Sequence, residues 1–227
     1  MCGRYAFFAP ADAVRRWFGV PFVPELAARY NIAPTQDVPV LREREPGQRE
    51  GALLRWGLVP SWAADPAIGQ RMINARAETL AEKPSFRSAF RRRRCVVLAS
   101  GWYEWQKTPA GKQPFFLRRR DGEPLGFAGL WEQWVDRGSG EAIQSCTIVT
   151  TAAPPALAAI HDRMPALLGR EALAGWLDPR IGDAARLGPL LGSAEAGSID
   201  ARPVSRAVND ARNEGPRLVE PIADAAR

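Results

Sequence analysis

Four short β-prone runs, Cys95–Ala99, Pro114–Arg119, Leu125–Trp131 and Ile143–Thr150, follow one another with Gly, Pro and polar turns between them and no regular alternation with helices. A doubly wound parallel sheet needs that alternation, so these runs point to largely antiparallel pairing. Further strands are expected at Leu53–Leu58, stopped by Pro60, and near Ala201–Val208, while Asn31–Thr35 and Pro39 read as an extended, Pro-punctuated segment. Helices are expected at Ala11–Gly19, where Val14, Trp17 and Phe18 recur at helical spacing, and at Arg170–Leu177, ahead of Asp178-Pro179. A third should start near Pro84, carry Phe86, Ala89 and Phe90 on one face and run into Arg91–Arg94. The expected fold class is α+β, with a mostly antiparallel, barrel-like β-sheet core and flanking helices.

Composition narrows the function. With 46% hydrophobic residues in 227, the chain can build a substantial core. Apolar stretches such as Val96–Ala99 and Ala156–Ile160 fall far short of the roughly 18 residues that span a bilayer. Arg4, Asp12, Arg15 and Arg16 interrupt the region where a signal peptide needs an apolar run, so a cytoplasmic protein is expected. Only Cys2, Cys95, Cys146 and His161 are available as thiol or imidazole ligands, widely spaced, so no metal site and no disulfide framework is expected.

The net charge is +6, and Lys stands only at positions 83, 107 and 112, the other basic residues all being Arg. Arg binds phosphates bidentately and stacks on bases, although a bias in base composition also favours Arg over Lys. Trp56, Trp62, Trp102, Trp105, Trp131 and Trp134 lie in the same stretch as Arg71, Arg76, Arg87 and Arg91–Arg94. Interleaved aromatic and basic residues suit a single-strand binding surface, while large aromatics equally suit a core. The Arg91–Arg94 run also fits the C-terminal end of a helix, where cations meet the dipole.

Four positions can carry chemistry. Removal of the initiator methionine, usual before a small second residue, leaves Cys2 as the amino terminus, with thiol and α-amine on one residue. Their reference pKa values, about 8.5 and about 7.7–8.0, leave part of each nucleophilic near neutrality. Such a 1,2-aminothiol traps aldehydes: the amine condenses to an imine and the sulfur closes a thiazolidine ring. The alternative is a buried small hydrophobe. His161, the sole histidine, stands two residues before Arg163, a pairing that suits proton transfer beside a phosphate or, alternatively, a structural role. Glu104, in Gly101-Trp102-Tyr103-Glu104-Trp105, has neighbours that raise a carboxyl pKa, or it caps a loop. Asn74 and Arg76, in Ile73-Asn74-Ala75-Arg76-Ala77-Glu78, offer an amide for a substrate oxygen and a guanidinium for phosphate, with a helix cap as the alternative. The chain lacks a phosphate-binding Gly-rich loop followed by Lys-Ser/Thr, GxSxG and HExxH.

Met1-Cys2-Gly3-Arg4, Tyr30-Asn31-Ile32-Ala33-Pro34-Thr35 and Arg55-Trp56-Gly57-Leu58-Val59-Pro60-Ser61-Trp62 resemble the SOS response-associated peptidase (SRAP) family. The blocks Ile73–Thr79, Gly101–Trp105, Phe127–Glu132 and Ile160–Pro165 follow in the family's order. The resemblance is strong over residues 2–177 and weak beyond, where Pro203-Val204-Ser205 and Val208-Asn209 match. It implies a single domain over 2–227 with a loosely matched Ala/Gly-rich segment near 178–200. It further implies a sensor that binds abasic sites in single-stranded DNA and crosslinks Cys2 to the ring-opened sugar, with no cofactor. In that picture Cys2, Asn74, Glu104 and His161 carry the chemistry and Arg4, Arg76, Trp105 and Arg163 contact DNA. A minor lyase activity, autopeptidase-type removal of Met1, a monomeric state and a nucleoid-associated location are also implied. Two other classes stay open: an N-terminal-cysteine peptidase and a noncovalent single-strand-binding module.

Overall fold

The computed structural model describes residues 2–20, 27–192 and 198–222. In chain order its elements are β1 (Tyr5–Phe7), α1 (Ala11–Phe18), β2 (Arg29–Ile32), β3 (Asp37–Glu43), β4 (Arg49–Trp56), β5 (Asn74–Arg76), α2 (Arg87–Arg92), β6 (Arg94–Ala99), β7 (Gly101–Thr108), β8 (Gly111–Arg119), β9 (Leu125–Val135), β10 (Ala142–Ala152), α3 (Pro155–Ala158), β11 (Arg163–Pro165), α4 (Arg170–Leu177), α5 (Ala184–Leu187) and β12 (Ile199–Pro203). Among these helices none is long and apolar enough to cross a membrane.

Strands β4, β3, β6, β9 and β10 pair in that order, and β10 returns to β4, closing a five-stranded barrel. Only the β10–β4 seam is parallel, so the barrel is mixed rather than wholly antiparallel. β5 adds in parallel to β10 and β11 adds antiparallel. A second sheet, ordered β12-β8-β7-β1-β2, packs its inner face on the barrel. Tyr5 fills the space between them edge-on to Trp56 at 5.4 Å and to Phe127 at 6.0 Å, and Trp102 meets Phe127 at 6.0 Å. Edge-to-face aromatic packing of this kind places ring hydrogens on π faces and excludes water.

Most of the tryptophans are therefore core: Trp56, Trp102, Trp131, Trp134 and Trp176 are buried, Trp105 is half-buried and Trp62 is 56% exposed. Trp56 donates from Nε1 to the Ile73 carbonyl at 2.8 Å, tying β4 to the segment entering β5. Gly57 has φ +132°, and a Cβ there would stand 2.6 Å from the Gly69 carbonyl oxygen, so only glycine permits this backbone approach. Leu58 N–H then donates to Met72 O at 3.2 Å and sets the entry to Asn74.

Three local expectations differ from the structure. The helix expected from Pro84 begins at Arg87, because Phe86 and Arg87 N–H both turn back onto the Lys83 carbonyl first. Gly101–Thr108, absent from the expected strands, is strand β7, paired with β8 along its length, so Glu104 stands on a strand rather than capping a loop. The last strand ends at Pro203 and a short 3-10 turn occupies Arg206–Asn209. Part of the Ala/Gly-rich span, residues 193–197, lies outside the described residues, and Ala184–Leu187 before it is helical.

Candidate active site

The amino terminus is pinned to β7. β1 pairs Tyr5 with Trp102 and Ala6 with Gly101, and Tyr103 N–H donates to Arg4 O at 2.9 Å. Trp102 and Glu104 share one face of β7 by the two-residue period, and both line a tight cleft with Leu157, Ile160 and His161. Its free space is about 10 Å³, room for one water. Cys2 is fully buried at this site, and the Asn74 amide on β5 donates from Nδ2 to the Cys2 carbonyl at 2.8 Å. Asn74 is held in place because β5 lies parallel to β10, with Asn74 opposite Ile148. Asn74 is thus a strand residue rather than a helix cap. Its other amide atom, Oδ1, is buried and has no hydrogen-bond partner among the described residues.

His161 follows α3, with its Nε2 4.0 Å from Glu104 Oε2. Nδ1 accepts the Arg163 backbone N–H at 3.0 Å and also stands 3.0 Å from Asp162 Oδ1. In the neutral ring the N–H donor aimed at Nδ1 favours a proton on Nε2, while Asp162 beside Nδ1 favours the imidazolium. Desolvation lowers the His161 pKa below its ordinary value, against the opposing pull of Asp162.

Glu104 is 3% exposed, and burial raises its carboxyl to about 7. The Cys2 thiol is pushed well above its ordinary value, first by burial and then by Glu104, against a hydrogen bond from the Arg4 backbone. A buried acid that titrates near neutrality can deliver and reclaim a proton, and a protonated thiol can wait until a proton acceptor appears beside it. Among the described residues no group of three His, Cys, Asp or Glu side chains is placed to hold a metal.

The four sequence candidates for chemistry, Cys2, Asn74, Glu104 and His161, therefore meet in one place. The four candidates for DNA contact are placed differently. Arg76 is exposed at the end of β5. Arg163 grips Glu78 through Nη1 at 2.5 Å and Nη2 at 3.0 Å, and donates to the Thr150 carbonyl at 2.6 Å. Arg4 is half-buried, its Nη1 donating to Asn31 Oδ1 at 2.7 Å and to the Val208 carbonyl at 2.8 Å. Trp105 Nε1 donates to Asn209 Oδ1 at 2.8 Å. Asn31, Glu78, Thr150 and Asn209 are thus supporting residues that the sequence reading did not single out as site residues. Asn31, Glu78 and Asn209 each stand inside one of the matching blocks, whereas Thr150 carried no signal beyond closing an expected strand.

The family profile described as SOS response associated peptidase (SRAP) matches residues 1–211. The chain belongs to the SRAP family. It is 40% identical over 224 residues to the abasic site processing protein YoqW of Bacillus subtilis, covering 97% of this chain and 99% of that one. It is 35% identical over 231 residues to the abasic site processing protein YedK of Escherichia coli, covering 98% and 100%. A crystal structure of a protein from Bacteroides thetaiotaomicron superposes with a TM-score of 0.84 at 27% identity, covering 98% of this SRAP chain and all of that one. The motif at the start of the SRAP match contains Cys2, and the blocks that supply Asn74, Glu104 and His161 all fall within it.

Proposed function

We propose that this SRAP protein processes abasic sites in single-stranded DNA by covalent attachment through Cys2. The observation that carries the reading is the Asn74 amide holding the Cys2 carbonyl at 2.8 Å, beside a buried Glu104 that titrates near 7 and faces His161. The reaction begins once Met1 is removed. His161 assists opening of the sugar ring by relaying the proton of the anomeric hydroxyl to the ring oxygen, which frees the aldehyde. The Cys2 amine adds to the carbonyl carbon. Protonated Glu104 gives its proton to the resulting hydroxyl, which leaves as water and yields an iminium. The Cys2 sulfur then bonds to the same carbon, its proton returns to Glu104, and the C=N electron pair returns to nitrogen. The net change is aldehyde plus aminothiol giving thiazolidine plus water.

In this reading Asn74 Oδ1 accepts a hydrogen bond from the freed sugar hydroxyl. This refines the sequence expectation, since Nδ2 is already committed to Cys2 and the oxygen is the open atom. Loss of the β-phosphate from the imine would cut the strand, so ring closure keeps lyase activity a minor side path. Single strands are favoured because extruding a lesion costs least where no partner base is stacked. The chemistry needs one chain only, so a monomer bound to nucleoid DNA in the cytoplasm suffices. The hydrogen bond from Arg4 to the Val208 carbonyl ties the first strand to the tail and supports reading the chain as a single domain.

A thiol whose pKa is raised suits amine-first condensation better than a peptidase that depends on a resting thiolate. The deciding experiment is denaturing electrophoresis of the mature protein with uracil-containing single strands before and after glycosylase treatment. A shifted band is expected only after treatment and only with Cys2 intact. A shift that persists in Cys2→Ala overturns the reading. Peptide cleavage retained in Cys2→Ser without any DNA adduct would assign the site to proteolysis, and unchanged affinity with no adduct in wild type would assign it to noncovalent binding.

A further inference from the structure

An arginine-rich groove lies away from Cys2. The turn between β3 and β4 and the C-terminal end of α2 enclose an open groove of about 710 Å³, lined by Arg44, Arg91, Arg92, Arg93, Arg180 and Trp131 among others. None of its lining residues belongs to the Cys2 cleft. Its floor residue Trp131 is registered opposite Cys146 on β10, whereas Arg163 is opposite Ala152, so the two sites are separated by roughly 20 Å along that strand at its usual rise.

The guanidinium groups here divide into committed and uncommitted. Arg93 pairs with Glu132 at 2.6 Å, Arg180 with Asp178 at 2.8 Å, and Arg44 shares Glu50 with Arg42. Arg91 and Arg92 are exposed and make no ion pair among the described residues. The Arg91–Arg94 run is therefore not uniform: its last member is buried and its first two face the groove. Trp131 is only 8% exposed and the Arg42 guanidinium covers its ring at 4.4 Å, so the indole forms the floor and presents no face on which a base could stack. A groove with surplus guanidinium forks and no stacking platform recognises phosphates rather than bases.

We infer that this groove holds the phosphodiester backbone of single-stranded DNA through Arg91 and Arg92, independently of base identity and apart from the Cys2 site. The charge complementarity is specific to those two residues, because every other lining arginine already faces a carboxylate, and the pair outnumbers Glu45, the one acidic residue in the lining. The inference does not depend on covalent chemistry and concerns intact DNA.

The test measures binding of the full chain to undamaged oligothymidylate and to a mixed-sequence strand by fluorescence anisotropy across a salt series. For Arg91→Ala/Arg92→Ala the affinity should fall roughly tenfold for both probes, and the slope of log K against log salt should flatten by about 1.4, two phosphates at about 0.7 each. Arg91→Lys/Arg92→Lys should restore the slope, since an ammonium serves as a point charge. Unchanged affinity and slope in the alanine variant would overturn the inference. So would Arg91/Arg92-dependent binding of poly-glutamate with DNA binding unaffected, which would assign the groove to an acidic protein segment. Adduct formation on a saturating abasic strand reports the Cys2 chemistry separately. Absence of adducts in both proteins, with the slope difference retained, would overturn the covalent reading and support this one.

Discussion

The backbone N–H of Arg163 donates to Nδ1 of His161 at 3.0 Å, so the neutral imidazole carries its proton on Nε2, the atom 4.0 Å from Glu104. The Arg163 side chain is in turn clamped by Glu78 and the Thr150 carbonyl, which fixes the peptide that makes this bond. His161 is the only histidine in the chain, so a single imidazole resonance reports its titration. Desolvation is the leading cause of its lowered pKa and Asp162 opposes it, so Asp162→Asn should move the midpoint further down. The neutral ring then persists to lower pH. NMR titration of the imidazole checks this, and an upward shift in the variant would contradict the arrangement. His161→Ala should slow adduct formation by about 10²-fold or more.

Glu104 couples stability to activity. Its folded pKa of about 7 lies above the ordinary 4.5, so the folded state holds an extra proton between those values. Its contribution to stability is full below about 4.5 and is lost as pH rises through about 7. Glu104→Gln should therefore stabilise the fold at pH above 7 by up to about 3 kcal/mol and leave it nearly unchanged in acid. The same variant should slow adduct formation and remove the decline in rate that deprotonation of the acid imposes above neutrality. Thermal melts and adduct kinetics at matched pH test the two halves separately.

Asn74 donates to the Cys2 carbonyl through Nδ2 and keeps Oδ1 without a partner among the described residues, so its two amide atoms can be separated. Asn74→Ala removes both and should reduce the rate of adduct formation by about 10²-fold through loss of positioning. Asn74→Asp keeps the oxygen but aims a carboxylate at the Cys2 carbonyl, which should displace the amino terminus and give no recovery. Timed quenching with an abasic strand measures both, and a rate for Asn74→Asp equal to wild type would remove the bond to Cys2 from the mechanism.

The legible parts of the fold were those with a local cause. α1 stops at Phe18 because Gly19 adopts φ +63°, a left-handed turn that glycine takes without strain. α4 spans Arg170–Leu177 as its pattern predicts. β7 was obscured because Glu104 occupies an inward position next to Trp102 where the strand pattern calls for an apolar residue. The parallel β10–β4 seam leaves no local mark. Nor does the anchoring of the amino-terminal region to the tail, since Asn31 Nδ2 donates to the Asp210 and Asn213 carbonyls at 2.9 Å across a long stretch of chain. The residues of the candidate site were legible through their motifs, but the protein partners of Arg4, Trp105 and Arg163 required the tertiary structure.

The Arg91–Arg94 run gives a stability prediction in which neighbouring arginines behave oppositely. Arg94 is 1% exposed and donates to three backbone carbonyls: Trp176 at 2.5 Å, Phe90 at 2.7 Å and Asp178 at 2.5 Å. It thereby joins the end of α2 to the end of α4, whose last carbonyls lack helical partners. Arg94→Ala strands those carbonyls and opens a cavity beside Trp176, at a cost of about 1–3 kcal/mol for each acceptor left without a partner. Even at the low end this should lower the melting temperature by about 10 °C for a chain of this size. Arg91→Ala and Arg92→Ala touch only exposed groups and should stay within about 0.5 kcal/mol of wild type. Calorimetry of the three single variants decides the matter, and a similar melting temperature for all of them would mean that Arg94 does not hold the two helix ends together.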